Sequence, residues 1–205
     1  MEADSAFDAL DTAEARLWQA LGRAAKDRRS PWHTPMLATV GADGAPQARV
    51  LVLREVNRAG RLLRLHSDSR TPKVAQIAAD PRVSVLLYDA GARLQLRIAG
   101  VARAESDGAV AARAWGDANL FARRCYTAPE APGALADGPI SGLPPELERR
   151  EPTEAESLQG RANFSVILIE IERMEFLHLA VTGHRRGAFD WHAEHQRWSG
   201  YWLVP

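Results

Sequence analysis

The sequence predicts a mainly β protein with helices, an α+β fold organised around a small antiparallel barrel, closed or split. Three observations predict it. Short apolar runs recur between positions 36 and 104, punctuated by turn clusters such as Gly41-Ala42-Asp43-Gly44, Asn57-Arg58-Ala59-Gly60 and Asp89-Ala90-Gly91-Ala92. A single helical segment interrupts that series, so the runs pair as hairpins rather than as βαβ units. No G-x-G-x-x-G follows a strand, which leaves a doubly wound nucleotide-binding sheet without support.

Taken in order, residues 4–26 read as an N-terminal helical region, because Phe7, Leu10, Ala13, Leu17 and Leu21 fall near helical spacing with charges between them. Asp27 to Pro31 ends it. Met36 to Val40 is the first strand. Gly41 to Gly44 turns the chain, with glycine where a positive φ is required, and Ala45 to Leu53 returns as the second strand. Arg61 to Ser67 is the third. Thr71-Pro72-Lys73 opens a helix, Thr71 at the N-cap and Pro72 at the first helical position, with Val74, Ile77 and Ala78 expected to be buried and Asp80-Pro81 as the stop.

Val83 to Tyr88 and Arg93 to Ala104 are the fourth and fifth strands. Residues 106–124 read as a helix through Val110, Ala111, Ala114, Trp115, Leu120 and Phe121. Residues 128–160, rich in Pro, Gly, Ala and Glu, read as a long loop or lid with one short helical candidate at Pro145 to Arg150. Asn163 to Glu172 is apolar at alternate and intervening positions alike, the signature of a central strand covered on both faces. Met174 to Val181, Gly187 to Trp191 and Trp198 to Leu203 complete the pattern, all within one domain spanning 1–205.

The 205 residues suffice for one domain with a sizeable core. With 26 Lys+Arg against 26 Asp+Glu, the charge balance favours neither nucleic acid nor an anionic membrane as partner. The single cysteine, Cys125, has no internal disulfide partner, which fits a reducing cytosol. No apolar run approaches a membrane span, and the acidic MEADSAFDAL start is unlike a signal peptide, so a cytoplasmic location is expected. The histidines show no metal-ligand spacing. His192 and His195 beside Glu194 read as a surface turn, and Trp191, Trp198 and Trp202 as core or interface.

Chemistry concentrates between Arg49 and Ile77. Lys73 lies in the first turn of the second helix with Arg70 just before it, where the macrodipole disfavours cations by about a few tenths of a kcal/mol unless an anion is bound. A phosphate on the free N–H groups resolves the conflict, with Arg49 reaching it from the neighbouring strand. A solvated basic loop is the alternative. Strand alternation places Arg49 and Arg54 on opposite faces, so they do not grip one phosphate together.

The pieces Arg49-Val50-Leu51-Val52-Leu53-Arg54, His66-Ser67, Ser69-Arg70-Thr71-Pro72-Lys73 and Gln95-Leu96-Arg97-Ile98-Ala99-Gly100 stand in one register. Together they resemble the pyridoxamine 5′-phosphate oxidase-like split-barrel flavoproteins. The resemblance implies an FMN-binding split barrel acting as an oxidoreductase, with the flavin at a homodimer interface. It assigns the flavin phosphate to Arg49, Ser67, Arg70 and Lys73, with His66 beside them. It runs Val50, Leu51 and Val52 along the ring, places Arg54 near ring and substrate, and gives Gln95 and Arg186 further flavin contacts. Arg54, Arg123 (or Arg124) and His184 would face the substrate. The chain departs from the family at Thr182, Leu177, Trp202 and Asn119. Those changes imply a small-molecule substrate other than the usual vitamin B6 phosphate. Two alternatives are a related deazaflavin enzyme and a non-catalytic flavin- or haem-binding barrel, the latter with His184 or His178 as axial ligand.

Overall fold

The computed structural model describes residues 6–205. An amphipathic helix α1 (Leu10–Lys26) leads, followed by β1 (Met36–Val40), β2 (Pro46–Val50), β3 (Leu53–Asn57) and β4 (Leu62–Asp68). Helix α2 (Pro72–Ala79) separates these from β5 (Arg82–Asp89) and β6 (Leu94–Glu105). Helices α3 (Gly108–Asp117), α4 (Leu120–Arg123) and α5 (Glu154–Leu158) precede β7 (Phe164–His178), β8 (Arg185–His192) and β9 (Arg197–Leu203). Positions 4 and 5 of the expected first helix lie outside the described residues; within them the helix begins at Leu10.

Every strand pairing is antiparallel. The sheet runs β2-β1-β5-β6-β7-β4-β3, with β8 and β9 branching from β7. The path does not close: its two ends, β2 and β3, are consecutive in the chain yet are not neighbours in the sheet. The barrel is therefore split at Leu51-Val52, where a single continuous strand to Leu53 was expected. β7 is the long shared wall. Residues 164–170 pair with β4, residues 173–178 pair with β8, and β6 runs along its other side with a register shift at Ala99/Gly100. The charged pair Glu172-Arg173 reads as a break in sequence, but β7 continues through it, so the two expected strands are one.

Two cores explain why β7 is apolar on both faces. Inside the barrel, Leu37, Leu53, Leu65, Val85, Leu96, Ile167, Ile169 and Phe176 are fully buried, each contributing about 1.5–3 kcal/mol by leaving water. α1 closes that side with Ala13, Leu17, Trp18, Leu21 and Ala24. On the other face Phe164, Val166 and Leu168 pack under Ala111, Ala114 and Trp115 of α3. Leu10 of α1 reaches the last hairpin through two close approaches. A Cβ added at Gly187 of β8 would lie 2.7 Å from Phe176 and 3.3 Å from Leu10, and one at Gly200 of β9 would lie 2.8 Å from Phe189 and 3.4 Å from Leu10.

Several boundaries differ from the sequence reading for local reasons. Residues 106–124 form two helices because Asn119 caps α4, its side chain accepting from the Ala122 N–H at 2.8 Å. The 128–160 segment contains α5, announced by a capping box between Thr153 and Glu156, whereas the Pro145 candidate is only a 3₁₀ turn at Pro145–Leu147. In α2 only Ile77 is buried; Val74 is half-buried and Ala78 is exposed.

Candidate functional site

The first turn of α2 gathers hydroxyls and cations into a cradle. Thr71 is the N-cap and Pro72 follows it, but the Thr71 hydroxyl donates back to the Asp68 carbonyl at 2.7 Å instead of capping the helix. The helix start thus keeps N–H groups that its own cap side chain does not take. Ser67 Oγ lies 3.0 Å from Thr71 Oγ1, and Lys73 Nζ donates to Ser67 Oγ at 3.2 Å. Arg49 enters from β2 on the barrel side, opposite Leu37. Its guanidinium donates to Thr39 Oγ1 at 2.6 Å and to Gln76 Oε1 at 3.1 Å, while Thr39 donates to the same Gln76 oxygen at 2.6 Å. Burial, and then the Arg49 charge, hold the Lys73 pKa below its ordinary value; burial also lowers that of Arg49. Two cations converge, each steadied by neutral oxygens, and that donor set suits a phosphate.

Arg70 stands apart from this cluster. Its Nη2 pairs with Asp68 at 2.7 Å, and the guanidinium also donates to the carbonyls of Ala128 and Pro129, each at 2.9 Å. It works as a strut holding the start of the 128–160 segment against the β4 end.

A second group forms on the outer face of β3 and β4. Leu53 points into the core, so Arg54 projects to the other side, where Arg64 and His66 also lie. The three share a pocket of about 270 Å³ with the end of α1 and the α3–α4 junction. His66 packs edge-on against Phe164, ring centroids 4.9 Å apart. Burial, reinforced by the charges of Arg54 and Arg64, pushes its pKa down to about 3. Arg64 pairs with Glu55 through Nη2 at 2.7 Å. Its Nε and Nη1, Arg54 Nε and His66 Nε2 are buried without a partner among the described residues. The structure thus separates His66 from Ser67, its neighbour in sequence, and joins it to Arg54.

A third row crosses the exposed sheet face. Gln95, Leu177 and Arg186 are directly opposed on β6, β7 and β8, and Arg186 holds Glu175 at 2.8 Å. Arg123 joins none of these groups: it is buried and donates to the carbonyls of Trp115 and Gly116 and to Glu154. His184 is exposed in the turn before β8, and His178 is buried against the Phe7 ring, centroids 4.8 Å apart.

Comparison with known proteins places these groups in a family. Residues 23–136 match the family described as Pyridoxamine 5′-phosphate oxidase. A pyridoxine/pyridoxamine 5′-phosphate oxidase of Thermosynechococcus vestitus is 30% identical over 179 residues, covering 80% of this chain and 82% of that protein. The chain belongs to the pyridoxamine 5′-phosphate oxidase family. Solved structures agree on the fold. A pyridoxamine 5′-phosphate oxidase-related, FMN-binding protein from Nostoc punctiforme superposes with a TM-score of 0.75 at 23% identity, over 93% of this chain and 96% of that one. PhzG from Burkholderia lata, solved with tetrahydrophenazine-1-carboxylic acid, superposes with a TM-score of 0.68 at 20% identity, over 94% and 91%. The expected antiparallel split barrel is the observed one. Among the described residues no helix is long and apolar enough to cross a membrane.

Within this pyridoxamine 5′-phosphate oxidase-like barrel, sequence reasoning missed Thr39 and Gln76, the neutral partners of Arg49, and the hydroxyl of Thr71, which bonds Ser67 and the Asp68 carbonyl. Thr39 carried one signal: a polar residue in register with buried Leu37 faces the core and needs a partner. Arg64 gave a weaker one, since a cation alternating with His66 on a strand reads as a solvated face.

Proposed function

We propose that this chain is a flavin mononucleotide-dependent oxidoreductase, acting as a homodimer on a small substrate other than vitamin B6 phosphate. The observation that carries the reading is the convergence of Arg49, Lys73, Ser67 and Thr71 at the start of α2. A flavin bound there supplies two-electron redox chemistry, with oxygen or a reduced nicotinamide completing the cycle. The chain's own residues do the rest. Lys73 and Arg49 hold the phosphate, and Thr39 and Gln76 keep the Arg49 fork aimed. Leu51 and Val52, at the seam of the barrel, would lie beside the ring. Gln95 and Arg186, on the exposed sheet face, meet the flavin across the dimer interface. Val50, Met36 and Tyr88 leave 59%, 40% and 49% of their surface exposed on that face, which supports its burial against a second copy.

The commitment of Arg123 to Trp115, Gly116 and Glu154 supports a substrate other than the B6 phosphates, as do Leu177 and Thr182 in place of family residues. The test is the absorbance spectrum of freshly purified protein, with the released cofactor identified by mass and the oligomer sized by light scattering. Flavin bands, an FMN mass and a dimer are expected. A colourless monomer that takes up no added FMN would sink the reading.

A further inference from the structure

A cavity of about 400 Å³ lies between α1, the 3₁₀ turn Pro31–His33 and the β5–β6 turn. Leu94 and His178, opposed on β6 and β7, turn their buried side chains to it. The next opposed pair, Gln95 and Leu177, faces the other side of the sheet. The cavity is therefore a sheet thickness away from the face given to the flavin, and no residue of the α2 cradle lines it.

Its floor is apolar and aromatic. Phe7, Trp32 and Leu94 leave 4%, 3% and 5% of their surface exposed. The Trp32 indole N–H is buried with no acceptor among the described residues, and a buried indole N–H ordinarily has one. The rim is cationic. Arg16, Arg23 and Lys26 stand on one stripe of α1, at i, i+7 and i+10. The helix dipole favours Arg23 and Lys26 in the last turn, but it does not account for Arg16 in the middle of the helix. The side chains of Arg23 and Lys26 meet no acid among the described residues, and Arg16 reaches the neutral Gln19 at 2.9 Å. Asp89 is the one carboxylate among the described lining residues, and its Oδ1 accepts the Ala92 N–H at 2.9 Å.

An apolar slot of this size with a few convergent polar groups has the build of a small-molecule site. Two kinds of occupant fit it badly. A neutral hydrocarbon leaves the cations and the indole donor unmatched, and a bare inorganic anion leaves the aromatic floor wet. We infer that this cavity is a second ligand site, which takes an amphipathic acid: a flat apolar body against Phe7, Trp32 and Leu94, and one acidic group among Arg16, Arg23 and Lys26. The site shares no residue with the cradle, so it stands independently of the flavin reading.

The test is fluorescence titration of the full chain with anilinonaphthalene sulfonate, an apolar ring system carrying one acid group. One dye is expected to bind per chain. Arg16→Gln with Arg23→Gln should weaken it by about tenfold. Gly22 lines the cavity, and a Cβ added there has nothing within 4 Å, so Gly22→Leu fills the slot without a clash and removes a mid-helix glycine. That variant should weaken the dye by about tenfold while the urea midpoint does not fall, a combination that a folding defect does not produce. Arg49→Met, in the cradle, should leave dye affinity unchanged. Naphthoate and naphthyl phosphate should displace the dye, the tighter of the two naming the acid, and neutral naphthol should do so at least about fivefold more weakly. No dye binding, affinity unchanged in either α1 variant, a loss in Arg49→Met as large as in the double variant, or displacement by naphthol as good as by the acids would each overturn the inference.

Discussion

The cradle at α2 and the pocket under β3–β4 are both cationic, and they handle charge in opposite ways. In the cradle each cation rests on a neutral oxygen: Arg49 on Thr39 and Gln76, Lys73 on Ser67. Those partners fix direction without consuming charge, so the positive potential stays available to an incoming anion. In the pocket the cations face one another with donors unmet, and His66 beside them drops to a pKa of about 3, through burial first and the Arg54 and Arg64 charges second. A site preorganised by neutral acceptors is ready before its ligand arrives. A site of mutually repelling guanidiniums is completed by its ligand.

The sharpest way to break this contrast is to strip the cradle. Arg49→Ala with Lys73→Ala should weaken FMN binding by about 10³-fold, two charge-assisted contacts being lost together. Riboflavin, which lacks the phosphate, should lose less than about threefold by fluorescence titration. Parallel losses of both flavins would show that the cradle does not read phosphate.

The pocket predicts a pH effect on folding. The folded His66 pKa lies near 3 and the ordinary value is 6.5, so between those limits the unfolded chain binds the extra proton. Stability from this residue is complete above pH 6.5 and is lost as pH falls toward 3, at up to about 1.4 kcal/mol per pH unit. Urea denaturation of His66→Phe should show a shallower decline over that window; an unchanged slope would remove His66 as its source.

Thr39→Val tests aim rather than charge. It should weaken FMN binding by about threefold to tenfold with riboflavin unaffected, because Arg49 stays but loses a guide. The smallest effect on cofactor is expected from Arg70→Ala. FMN affinity should change by less than about twofold, while limited proteolysis between residues 130 and 144 accelerates as the strut to Ala128 and Pro129 is removed. A large FMN loss in that variant would return Arg70 to the phosphate.

What was legible in sequence follows the range of the physics. Hairpins announced by Gly41 to Gly44 and Asp89 to Ala92, the Thr71-Pro72 helix start and the doubly apolar β7 segment are local signals, and they survive folding. The separation of Arg49 from Arg54 was also legible, because strand alternation demands it. The split at Leu51-Val52 was not, since nothing in that apolar run marks where pairing stops. Arg70 looked like a ligand contact because a cation beside a helix start attracts that reading, and Arg123 because the family resemblance puts a substrate arginine near it. Only the tertiary structure shows the carbonyls of Ala128, Pro129, Trp115 and Gly116 already drawing on their N–H groups. Arg64 escaped notice for the converse reason: its partnerless donors are a property of the pocket, not of the strand.

The contact of Leu10 with the strands at Gly187 and Gly200 sets an order of events during synthesis. Helix α1 leaves the ribosome about 180 residues before the hairpin that receives it, at about 5–20 residues per second. For roughly ten seconds or more Leu10, at the start of that helix, lacks the strands that receive it. A nascent chain stalled before Gly187 therefore leaves the first turn of α1 uncovered at Leu10, and the last strands of the barrel withdraw it.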